Sequence, residues 1–167
     1  MYAFGLIRDS KVFEADRNVT RGEAAYAFYR MMGYNAQYNK KELGINDIEK
    51  NINETEIGAV YSAGIMPCVY EKSFLPDSAV SYGDVIRALA RLLGYTDNVI
   101  GNRDSLDTYI RIMCDAGATG VRSIIKAEND GVKWSEFVNL LDLTLEANLL
   151  KVTYSNNETK VESTSDT

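Results

Sequence analysis

The segment Phe13–Tyr34, FEADRNVTRGEAAYAFYRMMGY, returns 61 residues later as Phe74–Tyr95, FLPDSAVSYGDVIRALARLLGY. Phe13, Asp16, Val19, Gly22, Ala27, Arg30, Gly33 and Tyr34 recur as Phe74, Asp77, Val80, Gly83, Ala88, Arg91, Gly94 and Tyr95. Identities at one fixed offset, in one polar-to-apolar order, mark an internal repeat. A repeat this short leaves the apolar stripes of its helices open. Sister copies must bury them, which confines the chain to a stacked or closed array of small units.

Each copy reads as a capped helix. Thr20 is a good N-cap and Glu23, three residues on, completes a capping box for a helix over Thr20–Met32. Ala24, Ala25, Ala27, Phe28, Met31 and Met32 supply its apolar stripe. The second copy runs Ser81–Leu93, with Asp84 where Glu23 stood. A third long helix is predicted over Val132–Leu150, where Val132, Trp134 and Glu136 align with Val80, Tyr82 and Asp84, and Leu145 and Leu149 extend the core face.

Shorter helices fall between them, near Asn53–Ala63 and over Asp104–Ala116. Gly33, Gly64, Gly94 and Gly117 stand as helix stops. Asn35–Leu43 and Thr96–Arg103 read as polar loops. Phe13 is expected to plug the core before the turn EADRN. The chain after Lys151 is rich in Ser, Thr, Asn and Glu and is expected to be a disordered tail or linker. The predicted fold is all-α: three helix-loop-helix repeats around a pseudo-threefold three-helix core. The units are 1–44 (lacking its front helix), 45–103 and 104–150, with a polar tail over 151–167.

Charge and residue usage narrow the chemistry. A net charge of −6 argues against nucleic acid and anionic membranes as partners. There is no His, so imidazole relays and His metal sites are absent. Cys68 and Cys114 lack a CxxC partner, which excludes a cysteine metal cluster, and are expected as two unpaired, half-buried thiols rather than a disulfide. No apolar run is long enough to span a bilayer. MYAFGLIRDS has no basic n-region or long h-region and does not read as a signal peptide; a secreted parent would carry its signal upstream. Lys126–Phe137 has the Gly of a calcium loop but places Lys126 and Phe137 at its first and last ligand positions, so it is rejected. Carboxylate pairs such as Glu54/Glu56 and Asp104/Asp107 sit in polar helix starts, and no nucleotide-binding Gly loop is framed by strand and helix. The chain is expected to be no enzyme and to need no cofactor.

The motifs in order resemble the S-layer homology (SLH) family. NDI at Asn46–Ile48, AGI at Ala63–Ile65, FLPDSAV at Phe74–Val80 and RLLGY at Arg91–Tyr95 follow the family's pattern in the second unit. VTRGE at Val19–Glu23 is the family's helix start in the first unit; DAGATG at Asp115–Gly120 and VKWSEF at Val132–Phe137 stand in the third, whose turn has become KAEN at Lys126–Asn129. The resemblance covers nearly everything before about residue 150. It implies a three-sided spindle whose inter-repeat grooves bind a secondary cell-wall polysaccharide on bacterial peptidoglycan. It also implies an extracellular location in the wall or surface layer, where other surface-layer domains are possible partners.

In the family, the Arg of T-R-x-E is a principal anion contact. Only Arg21 keeps it here; Tyr82 and Trp134 occupy that position in the other units. An Arg at a helix start offers a planar fork of donors beside free backbone N–H groups, which suits a carboxylate. Arg21 is expected to be exposed there. The candidate groove residues are therefore Arg21, Gly22 and Glu23, then Tyr82, Gly83 and Trp134, the two aromatics being read either as sugar-stacking faces or as cover for the core edge. Gly22 and Gly83, which weaken a helix, are expected to mark the close approach of a backbone or a ligand. The competing expectation is a degenerate SLH-like array for protein–protein assembly or spacing.

Overall fold

The structure is a computed structural model, and it describes residues 5–6, 14–33, 43–155 and 158–164. It is mostly helical. The helices are α1 (Arg21–Met31), α2 (Glu54–Ser62), α3 (Tyr82–Leu92), α4 (Asp97–Ile100), α5 (Leu106–Asp115), α6 (Val121–Ile124) and α7 (Trp134–Leu145). An antiparallel ribbon follows, β1 (Leu149–Ser155) paired with β2 (Glu158–Thr164).

Local chemistry sets the helix ends. Thr20 Oγ1 accepts from the Glu23 N–H at 3.2 Å, and Glu23 accepts the Thr20 N–H at 2.8 Å, closing the expected box. Ser81 caps α3 by accepting from the Asp84 N–H at 3.1 Å. Lys133 has no acceptor, so α7 keeps half of the box, the Lys133 N–H donating to Glu136 at 3.0 Å. Gly33 and Gly94 end α1 and α3 with φ of 73° and 98°, a region open to glycine at little cost.

The long helices start from a closed ring of backbone hydrogen bonds. The Val19 N–H donates to the Val132 carbonyl at 2.9 Å, Val132 to Val80 at 3.0 Å, and Val80 back to Val19 at 2.9 Å. All three valines are fully buried. The next two amides of each helix are used the same way. Arg21 and Gly22 donate to the carbonyls of Ser78 and Pro76, Tyr82 and Gly83 to Asp130 and Glu128, and Trp134 and Ser135 to Arg17 and Ala15. Each helix start is thus capped by a turn from another part of the chain, which satisfies amides that would otherwise lack partners.

Below the ring the apolar stripes meet in one core that includes Phe28, Ile86, Leu89, Phe137 and Leu141. Phe28 packs on Phe137 at 5.8 Å between ring centroids, and Trp134 meets Phe137 edge-on at 5.7 Å. α2 packs on α1, α5 on α3, and α6 on α7. Phe74 is fully buried in the core. Its counterpart Phe13, with Tyr34 and the loop Asn35–Glu42, lies outside the described residues. Asp47 of the NDI motif accepts the Phe74 and Leu75 amides at 2.9 and 2.8 Å and so fixes the turn that carries Phe74.

Three expectations need correction. The third long helix ends at Leu145, not at Leu150. Leu145 is 49% exposed, Leu149 and Leu150 lie in β1, and the Asn148 N–H turns back to the Ala116 carbonyl at 2.7 Å. The segment after Lys151 is not a disordered tail, because it forms most of the ribbon. Its polar composition hides an alternation of Val152 and Tyr154 on one arm with Thr159 and Val161 on the other, the period of a strand. Third, the Thr96–Arg103 loop contains α4, which buries Ile100.

The glycines at the helix starts are close approaches to protein. A Cβ on Gly22 would stand 3.2 Å from the Pro76 carbonyl oxygen and 3.1 Å from Asn53 Nδ2; one on Gly83 would stand 2.8 Å from both Arg87 and Glu128 side-chain atoms. Gly22→Ala is expected to lower unfolding stability by about 1 kcal/mol or more despite the higher helix propensity of Ala. Urea unfolding measures it, and a variant as stable as the parent would show that the Pro76 turn yields freely.

Candidate functional site

Arg21, at the first position of α1, does not project into solvent. It is 2% exposed. Nε donates to the Phe74 carbonyl at 2.7 Å, one terminal nitrogen to the Pro67 carbonyl at 2.7 Å, and the other to Asp84 at 2.5 Å. The guanidinium lies over the Phe74 ring at 4.7 Å. Burial draws the Arg21 pKa below its ordinary value against the opposing pull of Asp84, and the group remains a cation at neutral pH. The expected exposure of Arg21 is therefore corrected. The turn over Pro67–Ser78 folds across the helix start and takes two of the guanidinium's hydrogen bonds, and Asp84 of α3 takes the third, so each of its nitrogens has an acceptor. The free amides expected beside it are also occupied, by Ser78 and Pro76.

The first helical position is filled differently in α3 and α7. Tyr82 is 0% exposed and Trp134 is 6% exposed. The Tyr82 hydroxyl faces Glu136 without a hydrogen bond of good geometry, and burial together with that carboxylate pushes its pKa well up. Trp134 lies under the Arg17 guanidinium at 5.8 Å, and Arg17 pairs with Glu23 at 2.7 Å. Neither aromatic presents a face for a sugar, so of their two readings, cover for the core edge is the one the geometry supports. Gly83 packs beside the Arg87–Glu128 ion pair, which is 2.7 Å long.

The pattern links the three long helices in order. The residue at the start of one helix packs toward the acidic residue at the third position of the next: Arg21 toward Asp84, Tyr82 toward Glu136, and Trp134, through Arg17, toward Glu23. Glu23 is pushed up by burial, yet hydrogen bonds from Arg17 and the Thr20 amide outweigh this and hold its pKa below the ordinary carboxylate value. Glu136 is also lowered, by hydrogen bonds from Lys126 and the Lys133 amide and by the nearby Tyr82 hydroxyl, against burial.

Between the starts of α1 and α3 lies an open cavity of about 400 Å³. Arg21 and Asp84 form its floor, and Ser78, Ser81 and Asn129 bring polar atoms to its walls. Val69 stands at its edge, followed by Tyr70, which is 68% exposed. Of the expected groove residues only Arg21 lines this cavity. Asp84, Ser78 and Asn129 were not anticipated; only the offset placing Asp84 opposite Glu23 hinted at the first. Cys68, a free thiol, lines the same cavity, and its pKa is raised by burial first and then by Asp47. Among the described residues no helix is long and apolar enough to cross a membrane, and no cluster of acidic or Cys side chains could hold a metal ion.

Arg21→Ala is expected to destabilise the fold by about 3 kcal/mol, discounted for the partly exposed Asp84, because it leaves a carboxylate and two carbonyls without their donor. Arg21→Lys is expected to recover only part of this, since one ammonium cannot span the three acceptors. Urea unfolding measures both, and a fully stable Arg21→Ala would contradict the placement. Glu23 and Glu136 have depressed folded-state pKa values. Their stabilising contribution is therefore present above the unfolded value of about 4.3 and is lost as pH falls through the lower folded values. A plot of stability against pH should fall on that acid limb, and Glu23→Gln should flatten it; an unchanged slope would remove Glu23 from the linkage.

Searches with the whole sequence found no protein-family model that matches the chain, and no curated protein matches it significantly.

Proposed function

We propose that this chain is a non-catalytic cell-wall-anchoring module of the SLH type, holding a larger surface protein on bacterial peptidoglycan through a secondary cell-wall polysaccharide. Three helix-loop-helix units arranged about a pseudo-threefold axis are the architecture of this reading. The cyclic donor pattern Val19, Val132, Val80 supports it, as do the equivalent caps on α1, α3 and α7.

The observation that carries the binding role is the polar cavity at the α1–α3 junction. Its chemistry differs from a carboxylate fork. Each Arg21 nitrogen already donates to the protein and the side chain is buried, so Arg21 acts as a positioning residue that presents Asp84. Asp84 is one-third exposed and keeps a carboxylate oxygen for sugar hydroxyls, with Ser78 and Asn129 beside it. Tyr70, exposed and next in sequence to the lining residue Val69, offers an aromatic face for a sugar ring. Polymer binding is assigned to this junction alone.

A specific observation favours a second reading. Tyr82 and Trp134 are buried plugs at the other two junctions, which suits a degenerate array that serves protein–protein assembly or spacing at the cell surface. Sedimentation with purified sacculi separates the two. The anchoring reading expects the chain to pellet with untreated sacculi and to stay in solution once hydrofluoric acid has stripped the wall polymer. Tyr70→Ala and Asn129→Ala, both on exposed residues, are expected to weaken pelleting about tenfold without changing the unfolding midpoint. A chain that ignores untreated sacculi ends the anchoring reading, and full binding by both variants moves the site elsewhere.

A further inference from the structure

A second cavity, of about 370 Å³, opens on another side of the molecule, between the end of α3, α4 and α5. It shares no residue with the groove at Arg21. Ile100, nearly fully buried, and the half-buried Ile112 give it an apolar floor. Arg103 and Arg111 stand exposed at its edge. The Arg103 Nε donates to the Ile100 carbonyl at 3.3 Å, and this bond leaves its terminal nitrogens available. Among the described residues the Arg111 side chain makes no hydrogen bond or ion pair. Tyr95 lines the same space, its phenol pushed up by burial and then by Asp115, so it stays a protonated donor at neutral pH.

Two arginines against one aspartate make this a locally cationic pocket on a chain of net charge −6. The fold does not demand that charge. Gly117, which ends the unit of α5, corresponds to Gly64, which ends that of α2. Counting back from these stops sets Arg111 against Gly58 and Asp115 against Ser62. The helix is built in one copy without either side chain, so Arg111 is free to serve the pocket.

We infer that this pocket binds a small monocarboxylate with a compact apolar body. The carboxylate sits between Arg103 and Arg111, where a planar fork matches two oxygens, and the body covers Ile100 and Ile112. A bare inorganic anion would leave that floor wet, and an uncharged body would leave the guanidinium groups without a counter-charge. The site stands apart from the polymer groove and does not depend on the anchoring role.

Benzoate is the probe. In a titration of the isotope-labelled chain followed by amide NMR, benzoate is expected to give saturable shifts centred on Tyr95, Ile100 and Arg111, with a dissociation constant on the order of 1 mM or tighter. Benzamide and inorganic phosphate are expected to give none. Arg111→Gln and Arg103→Gln should each weaken benzoate by about tenfold, with the unfolding midpoint and pelleting with sacculi unchanged. Equal responses to benzoate and benzamide, displacement of benzoate by equimolar phosphate, or full binding by Arg111→Gln would each overturn the assignment.

Discussion

The ring of three amide–carbonyl bonds among Val19, Val80 and Val132 is the constraint on which the rest of the structure depends. Each valine precedes a helix start, so the ring fixes where three helices begin and which way they run. It is fully buried, and a backbone amide left open there would cost about 1–3 kcal/mol. Register follows from it. Once Val19 meets Val132, Trp134 and Ser135 reach Arg17 and Ala15, and the equivalent pairs form at the other two junctions. The apolar stripes then face one another in a single core.

Bringing three helix N-termini together has an electrostatic cost, because each carries a partial positive charge. The chain answers with an acidic residue at the third position of each helix: Glu23, Asp84 and Glu136. Each of these also accepts from a basic side chain, Arg17, Arg21 and Lys126. The first helical position has more latitude. Arg, Tyr and Trp all fill the space under the neighbouring turn, so that position accepts side chains of quite different chemistry within one fold.

Local chemistry made much of this legible from the residues. Thr20 with Glu23, Ser81 with Asp84 and the glycine stops mark helix ends through contacts within four residues, and the long helices fall where the apolar spacing puts them. What reading along the chain lacked was the partner of each surface. Arg21 would be exposed on an isolated helix. It is buried because Pro67, Phe74 and Asp84, up to 63 residues away in sequence, close over it. The ribbon escaped because composition was weighed where alternation mattered. The cavity between α1 and α3 was legible only as a place, since its walls come from the turn before α3 and from α3 itself, together with Asn129 from a third segment.

Closure of the ring also bears on how the molecule is assembled. In an open stack each added unit contributes its own increment, and a shorter stack is a weaker version of a longer one. Here the bond from Val19 to Val132 spans almost the whole helical part of the chain. A fragment with two of the three segments would bury one valine amide and one valine carbonyl without partners. The natural folding unit is therefore the closed triplet. Its most sequence-distant contact is the one that completes it, so formation of the helical body waits on the arrival of α7.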